Sequence, residues 1–348
     1  MKQRRVWIAL ATLGVLAGAF GVVARLALER HFDSPAGGQA SAESFVVEPG
    51  EPLVDIARRL EARGLIRSEL GFRLLARLEG AERRLQAGEY AFSPSLSPRE
   101  ILGRLLRGQV RLYRLTVPEG LTLSQIAVIV EKTGLAAAAE FEGLARDPAL
   151  AKQLGIPAES VEGYLFPETY FFPRGAGARA ILEAMVARFR AAYPPEWDEQ
   201  ASRLGLSRHE VVTLASIIEK ETADPAERPL IAAVFHNRLK RGMRLETDPT
   251  VIYGIRDFDG NLTRRHLETP TPYNTYIIRG LPPGPIANPG KASLQAALFP
   301  PESPFLYFVS RNDGTHHFST TYEEHRRAVR FYQLGEGKAP AAHEKSKF

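Results

Sequence analysis

Cysteine is absent from this 348-residue chain, which excludes a disulfide framework and thiolate chemistry. That absence is compatible with a protein of the cell envelope but does not identify the compartment. Also missing is any basic run interleaved with aromatics, although the net charge is +5 and the pI near 9.4. Lys and Arg are scattered among Glu and Asp along the chain, which argues against a nucleic-acid partner. A basic surface facing an anionic polymer or a membrane fits the same charge. His236, His316, His317 and His325 show no zinc-helix spacing, and the one buried-looking carboxylate has no His three or four residues away. Neither a metal nor any other cofactor is expected. What is present is the apolar content of a globular protein, in a chain long enough for two domains beyond its N-terminal segment.

That segment starts with Lys2-Gln-Arg-Arg5, continues from Val6 to Val23 without a charge, and meets Arg25. Eighteen residues at about 1.5 Å each make roughly 27 Å of helix, close to the hydrocarbon thickness of a bilayer. A secretory signal usually has an apolar stretch of about 7–15 residues, so an uncleaved anchor is the better reading. Basic residues ahead of the span favour a cytoplasmic N-terminus and an exported body, although Arg25 and Arg30 weaken the asymmetry. A buried helix of a soluble protein is the alternative, and the lack of a polar stripe argues against it. His31 to Ser44, rich in Ser, Ala, Gly and Pro, reads as a tether.

A strand, a turn and a helix are expected from Phe45 to Ala57, and the pattern returns seventy residues later. Gly50, Leu53, Ile56, Ala57, Glu61, Gly64 and Leu65 match Gly120, Leu123, Ile126, Ala127, Glu131, Gly134 and Leu135. The unit looks like the small LysM-type modules that bind glycans; two packing units without a ligand is the alternative. Between the copies, Ser68 to Leu78 and Pro98 to Leu106 read as amphipathic helices around a strand at Gly88 to Phe92. Ala136 to Leu154 is expected to be helical. Glu162-Gly-Tyr-Leu-Phe-Pro-Glu-Thr-Tyr-Phe-Phe-Pro173 then gathers aromatics, two carboxylates and two prolines. Such faces suit sugar rings as well as a core. Ile181 to Ala192 reads as a helix, ended by Pro194-Pro195.

The stretch around which the rest is arranged is Ser207 to Thr222. Ser207 and Glu210 form an expected capping box, and apolar residues from Val211 to Ile218 cover most of the helix circumference, so this helix belongs inside a domain. Asp224-Pro225 stops it. Glu219, near its end, would lose hydration and face the negative end of the helix dipole; both raise a carboxyl pKa and suit a general acid. The alternative is that Glu219 pairs with an Arg or reaches solvent. Downstream, Leu230 to Lys240 reads as a helix carrying His236 and Asn237. Asp248-Pro249 reads as a turn or helix start, with Asp248 placed to cap the amide of Val251. Pro/Gly-rich Gly280 to Gly290 has little entropy to lose and can hold polar groups in place. A strand is expected at Leu306 to Ser310, ahead of Asp313-Gly-Thr-His-His-Phe318. The segment from Gly335 is polar and expected to be disordered.

Taken together, these residues resemble the MltG/YceG-like family of endolytic murein transglycosylases. The matching pieces are the N-terminal anchor, the LysM-like module, Glu162 to Tyr170, and Leu214-Ala-Ser-Ile-Ile-Glu-Lys-Glu-Thr222. Val234 to Leu239, Gly242 to Gly254, Tyr273-Asn-Thr-Tyr276, Gly280 to Gly290 and Gly314-Thr-His-His-Phe318 complete the set. The resemblance implies an α+β fold: an N-terminal transmembrane helix, a small LysM-like module and a larger mixed catalytic domain. The expected boundaries are 1–27 for stub and anchor, 28–44 for a linker, and 45–112 for the module. Residues 113–334 form the catalytic domain, with the repeated unit at 113–135, and 335–348 a tail.

It implies cleavage of the β-1,4 bond between N-acetylmuramic acid and N-acetylglucosamine within glycan strands, leaving a 1,6-anhydro end. It also implies work beside peptidoglycan synthases at the inner membrane, with the catalytic domain outside the cytoplasm. The first Glu of the Glu-Lys-Glu segment, Glu219, is the implied catalytic acid. Tyr164, Glu168, Asn237, Asp248, Asn274, Tyr276, Asn288 and His316 are the expected substrate contacts. Ordinary glycosidases use two carboxylates, and Glu221, Glu168 and Asp248 are the candidates for a second. A hydrolytic muramidase and a non-catalytic peptidoglycan-binding scaffold are the competing readings.

Overall fold

The computed structural model describes residues 2–222 and 224–340. They form a mixed α+β structure in two compact units, Met1–Tyr113 and Arg114–Phe348.

The first unit opens with α1 (Lys2–Asp33), followed by β1 (Glu43–Val47), α2 (Leu53–Ala62), α3 (Glu69–Leu78), β2 (Gly88–Phe92) and α4 (Pro98–Arg107). β1 and β2 pair antiparallel with Phe45 opposite Tyr90. Their inward residues Phe45, Val47, Tyr90 and Phe92 join Ile56, Leu60, Phe72, Leu75, Ile101 and Leu105 in one buried core. Removing each such side chain from water stabilises the unit by about 1.5–3 kcal/mol before entropy is counted. Ser97 and Glu100 close a capping box on α4, and Ser68 caps α3.

α1 contains the one helical stretch, among the described residues, long and apolar enough to cross a membrane: Thr12–Asp33, of mean hydropathy 1.5, with none of its most apolar window buried in the protein. The helix runs on past the expected anchor boundary at residue 27, and strand β1 begins at Glu43, inside the expected linker. Packing is the reason. Phe32 is buried in the core of the unit. Arg99 of α4 donates to Glu29 Oε2 (2.5 Å), Asp33 Oδ1 (2.8 Å) and Glu79 Oε1 (2.6 Å), which ties the end of α1 to α3 and α4.

The second unit begins within β3 (Leu112–Thr116). It continues with α5 (Leu123–Thr133), α6 (Ala138–Ala145), α7 (Pro148–Gln153), β4 (Thr169–Pro173), α8 (Gly177–Ala192) and α9 (Glu196–Arg203). Then come α10 (Arg208–Glu221), α11 (Arg228–Lys240), α12 (Asp248–Tyr253), α13 (Arg264–Glu268) and α14 (Lys291–Leu298). β5 (Tyr307–Ser310), β6 (His316–Ser319) and α15 (Tyr322–Leu334) close it. β3 pairs with β4, and β5 with β6 antiparallel, Ser310 lying opposite His316. The helix expected over 136–154 is two, because Asp147 caps a new start at Pro148. Residues 335–340 carry no helix or strand; the rest of the expected tail lies outside the described residues.

The seventy-residue repeat is structural. Gly50 and Gly120 both turn the chain at φ +77° and +76°, where a side chain would be strained, and Gly64 and Gly134 end the following helices at +69° and +71°. Ile56, Ala57 and Leu60 of α2 are buried as Ile126, Ala127 and Val130 of α5 are.

Replacing Arg99 by Ala is expected to release the end of α1, so that limited proteolysis cuts faster between residues 33 and 43. The partners are part-exposed, so unfolding of the unit in urea should change by no more than about 1 kcal/mol.

Candidate active site

The site is built on α10. Its capping box forms as expected: Ser207 Oγ accepts from Glu210 N at 3.3 Å, and Glu210 Oε2 accepts from Ser207 N at 2.7 Å. All eight residues from Val211 to Ile218 are buried. Ser216 donates to Thr213 O (2.7 Å) and accepts from Ile286 N (3.0 Å), fastening the Pro/Gly-rich loop to the helix. The helix thus delivers two carboxylates, Glu219 and Glu221, to opposite surroundings.

Glu219 is dry, with its side chain 5% exposed, but it is paired. Arg228 of α11 donates to Oε1 and Gly290 N to Oε2, both at 3.0 Å. Of the alternatives open in the sequence, pairing with an Arg is what forms; the carboxylate expected to stand bare meets a guanidinium. Glu119, in the turn of the repeated unit, lies 3.7 Å from the same guanidinium, and burial together with the Glu219 charge raises its carboxyl pKa. A Cβ on Gly290 would fall 1.9 Å from Glu119 Oε1, so a larger residue there would have to displace the Glu119 carboxylate.

Glu221 faces a different place. It lines an open cavity of about 410 Å³ together with Arg238, Asp248, Tyr276, His316 and His325. The Thr247 hydroxyl donates to Oε1 of Glu221. Thr247 is itself held by Thr275, which accepts from Thr247 N at 3.0 Å and lies 2.8 Å from the Thr250 hydroxyl. Burial pushes the Glu221 carboxyl up to about 7; the Thr247 hydroxyl opposes the rise, the Asp248 charge adds to it, and Arg238 opposes it. A carboxyl raised well above its ordinary range, beside an accessible cavity, is the equipment of a general acid. Arg238 donates to the carbonyls of Leu306 and Leu245 at 2.7 and 2.8 Å, and to Glu246, a residue held at φ +50°.

Three expected substrate contacts, Asp248, Tyr276 and His316, come together here with Glu221 and not with Glu219. Asp248 does not cap Val251; its Oδ1 accepts from the Tyr276 hydroxyl at 2.7 Å, and Thr247 takes the N-cap position of α12. His316 donates its backbone N–H to Glu227 at 2.8 Å, and its Nδ1 lies 2.7 Å from the same carboxylate.

The other expected contacts lie elsewhere. Asn274 is fully buried, its amide donating to the carbonyls of His266, Leu267 and Thr269. Asn288, equally buried, accepts from Leu165 N (2.8 Å) and donates to Glu162 (2.8 Å). Tyr164 is 2% exposed and bonded to His209. Asn237 holds the carbonyls of Ser303 and Phe305, and Glu168 makes a surface ion pair with Arg188. Sequence reasoning missed Thr247, Glu227, Arg228, Arg238 and Glu119, and held Glu221 only as a second carboxylate. Glu162, whose carboxyl burial raises to about 7, accepts from Leu123 N and Asn288 as a structural hub. Among the described residues no three His, Asp or Glu side chains are grouped to hold a metal ion.

The model of the YceG-like family matches residues 45–331. The chain belongs to that family. The endolytic murein transglycosylase of Bacillus subtilis is 33% identical over 305 residues, covering 82% of this chain and 83% of the relative. That of Streptococcus pneumoniae is 30% identical over 83% of this chain, which spans 59% of the relative's length. A yceG-like protein of Listeria monocytogenes has a crystal structure that superposes with a TM-score of 0.57 at 32% identity. The match covers 83% of this chain and 99% of that one. The family-matched region therefore contains both the Glu219 ion pair and the Glu221 cavity.

Replacing Arg228 by Ala would leave the buried Glu219 carboxylate without its charged partner, with only the Gly290 N–H on Oε2. The expected cost is about 3–5 kcal/mol, read as a lower urea midpoint with unchanged slope.

Proposed function

We propose that the protein is an endolytic murein transglycosylase that cleaves between N-acetylmuramic acid and N-acetylglucosamine within peptidoglycan strands, with Glu221 as its proton donor. The observation that carries the assignment is the placement of a carboxyl with pKa raised to about 7 in the cavity shared by Asp248, Tyr276 and His316. The relatives' activity supports the reaction class. Glu219, the residue expected from the sequence, is given a holding role instead: its charge is already committed to Arg228 and Gly290 N.

In this reading a glycan strand lies across the cavity and Glu221 protonates the leaving glycosidic oxygen. The sugar's own C6 hydroxyl closes on C1, so proximity within one ring replaces a nucleophile from the protein. Asp248 and Tyr276, tied to each other, would accept and donate to sugar hydroxyls. Asp248 also keeps Glu221 protonated by adding negative charge beside it. Asp248 in the same cavity is the feature that favours the competing hydrolytic reading, in which a second carboxylate activates water.

The proposal extends to the rest of the chain. α1 would anchor the protein in the inner membrane with both units on the outer side, and the first unit would act as a LysM-like glycan-binding module. Its strand–helix–helix–strand order and glycine turns support that reading. Cutting nascent strands there would end their elongation beside the synthases.

Digestion of purified peptidoglycan followed by mass spectrometry tests the reaction: 1,6-anhydro ends are expected, and reducing ends would indicate a muramidase instead. Glu221→Gln is expected to lose on the order of 10²–10⁴ in turnover, whereas Glu219→Gln should keep measurable turnover and lose stability. The reverse pattern would return the role to Glu219. The acid must be protonated to act, so activity should fall as pH rises through about 7. Asp248→Asn removes the neighbouring charge that raises the Glu221 pKa. That variant should move the alkaline limb to lower pH.

A further inference from the structure

Closing the anhydro ring requires that the C6 hydroxyl give up its proton, either to Glu221 once it has protonated the leaving oxygen or to a second base acting at the same time. A single carboxylate can do both only in sequence. The cavity holds a second group suited to the task.

His316 sits at the start of β6, opposite Ser310 in the hairpin, and lines the same cavity as Glu221. Its ring is fixed from two directions. Glu227, in the turn that leads into α11, takes the backbone N–H of His316 on Oε1 (2.8 Å) and the ring Nδ1 on Oε2 (2.7 Å). Both partners of the pair are 13% exposed, so water competes little for the contact. Phe308 packs edge-on against the ring, with centroids 5.4 Å apart. A carboxylate on Nδ1 holds the proton there, which makes Nε2 of the neutral imidazole an acceptor. Nδ1 is committed to Glu227, so Nε2 is the ring nitrogen left for the cavity. The other ionisable groups around this space are Glu221, Arg238, Glu246, Asp248, Tyr276 and His325.

The geometry points to the Glu227–His316 pair as the base of the reaction, with His316 Nε2 accepting the C6 hydroxyl proton and Glu227 setting the tautomer. The inference rests on the transglycosylase reading with Glu221 as acid. The step balances: the C1–O4 bond breaks as O4 takes the Glu221 proton, and C1–O6 forms as the O6 proton passes to Nε2. Glu221 is left as carboxylate and His316 as imidazolium, and both reset by proton exchange with water. His316 is the catalytic residue of the pair and Glu227 a positioning residue.

The test measures turnover and KM of the full-length protein on purified peptidoglycan, with thermal melts as a folding control. His316→Ala and His316→Gln are each expected to lower kcat about 100-fold or more with KM within about twofold. Added imidazole should restore part of the loss in His316→Ala but none in Glu221→Gln. Glu227→Gln presents an amide donor to Nδ1 and drives the ring proton to Nε2, so kcat should fall with KM unchanged although His316 is intact. His316 variants that keep kcat within about threefold of the parent, or lose only in KM, would overturn the proposal, as would a failure of imidazole rescue in a folded His316→Ala. If the parent protein releases no anhydro ends, both this inference and the transglycosylase reading fall. If it does, and Glu221→Gln alone is dead, only this inference falls.

Discussion

Two residues apart on an α-helix means about 200° apart around its axis, and this geometry governs the candidate site. The last turn of α10 carries Glu219 and Glu221 on nearly opposite sides of a helix that is buried all round. One carboxylate is turned toward α11 and the loop ending at Gly290, where Arg228 and an N–H take it up. The other is turned toward the Thr247–Asp248 segment and the β5–β6 hairpin, where it meets a hydroxyl and an open cavity. Because the apolar body of the helix cannot rotate without exposing one side, the two assignments cannot be exchanged. The same burial that fixes the helix supplies the desolvation that keeps Glu221 partly protonated.

Around this helix the polar side chains divide between those spent on internal bonds and those that line the cavity. Asn274, Asn288 and Ser216 are buried and bonded to backbone groups of irregular segments, which have few partners of their own, and Glu162 is buried among Leu123 N, Asn288 and the Tyr253 hydroxyl. The Pro/Gly-rich loop belongs to this set: Ile286, Ala287 and Asn288 are buried in it, and it is pinned to α10 and to the turn at Gly120. Asp248, Tyr276, His316 and Glu221 keep a face toward the cavity while each is oriented by one firm neighbour. The orientation of a side chain by a partner behind it is what makes a small set of polar groups useful for chemistry.

Much of the fold could be read from residue order. Apolar spacing placed α3, α4, α8, α10 and α11 within a few residues, and the capping box at Ser207 marked a start that the structure keeps. The seventy-residue repeat was visible because its glycines serve positive φ and its Ile-Ala pairs serve burial, both of which tolerate few residue types. The helix α1 continues beyond residue 27, the expected end of the anchor, to Asp33. What holds Glu29 to Asp33 in the helix is Arg99, about seventy residues away, together with the burial of Phe32.

The sequence by itself determined that a buried helix ends in a Glu-Lys-Glu segment, and that Asp248, Tyr276 and His316 belong to motifs worth watching. It could not decide which Glu is paired and which faces the cavity, because that depends on what packs against each side of the helix. Arg228, Thr247 and Glu227 are unremarkable as letters; they matter through contacts made across 9, 26 and 89 residues of chain. Nor could it tell a polar side chain that greets a ligand from one spent on backbone carbonyls, since Asn and Tyr serve both uses equally well. Tertiary packing made those decisions, by fixing which groups lose water alone and which lose it in company.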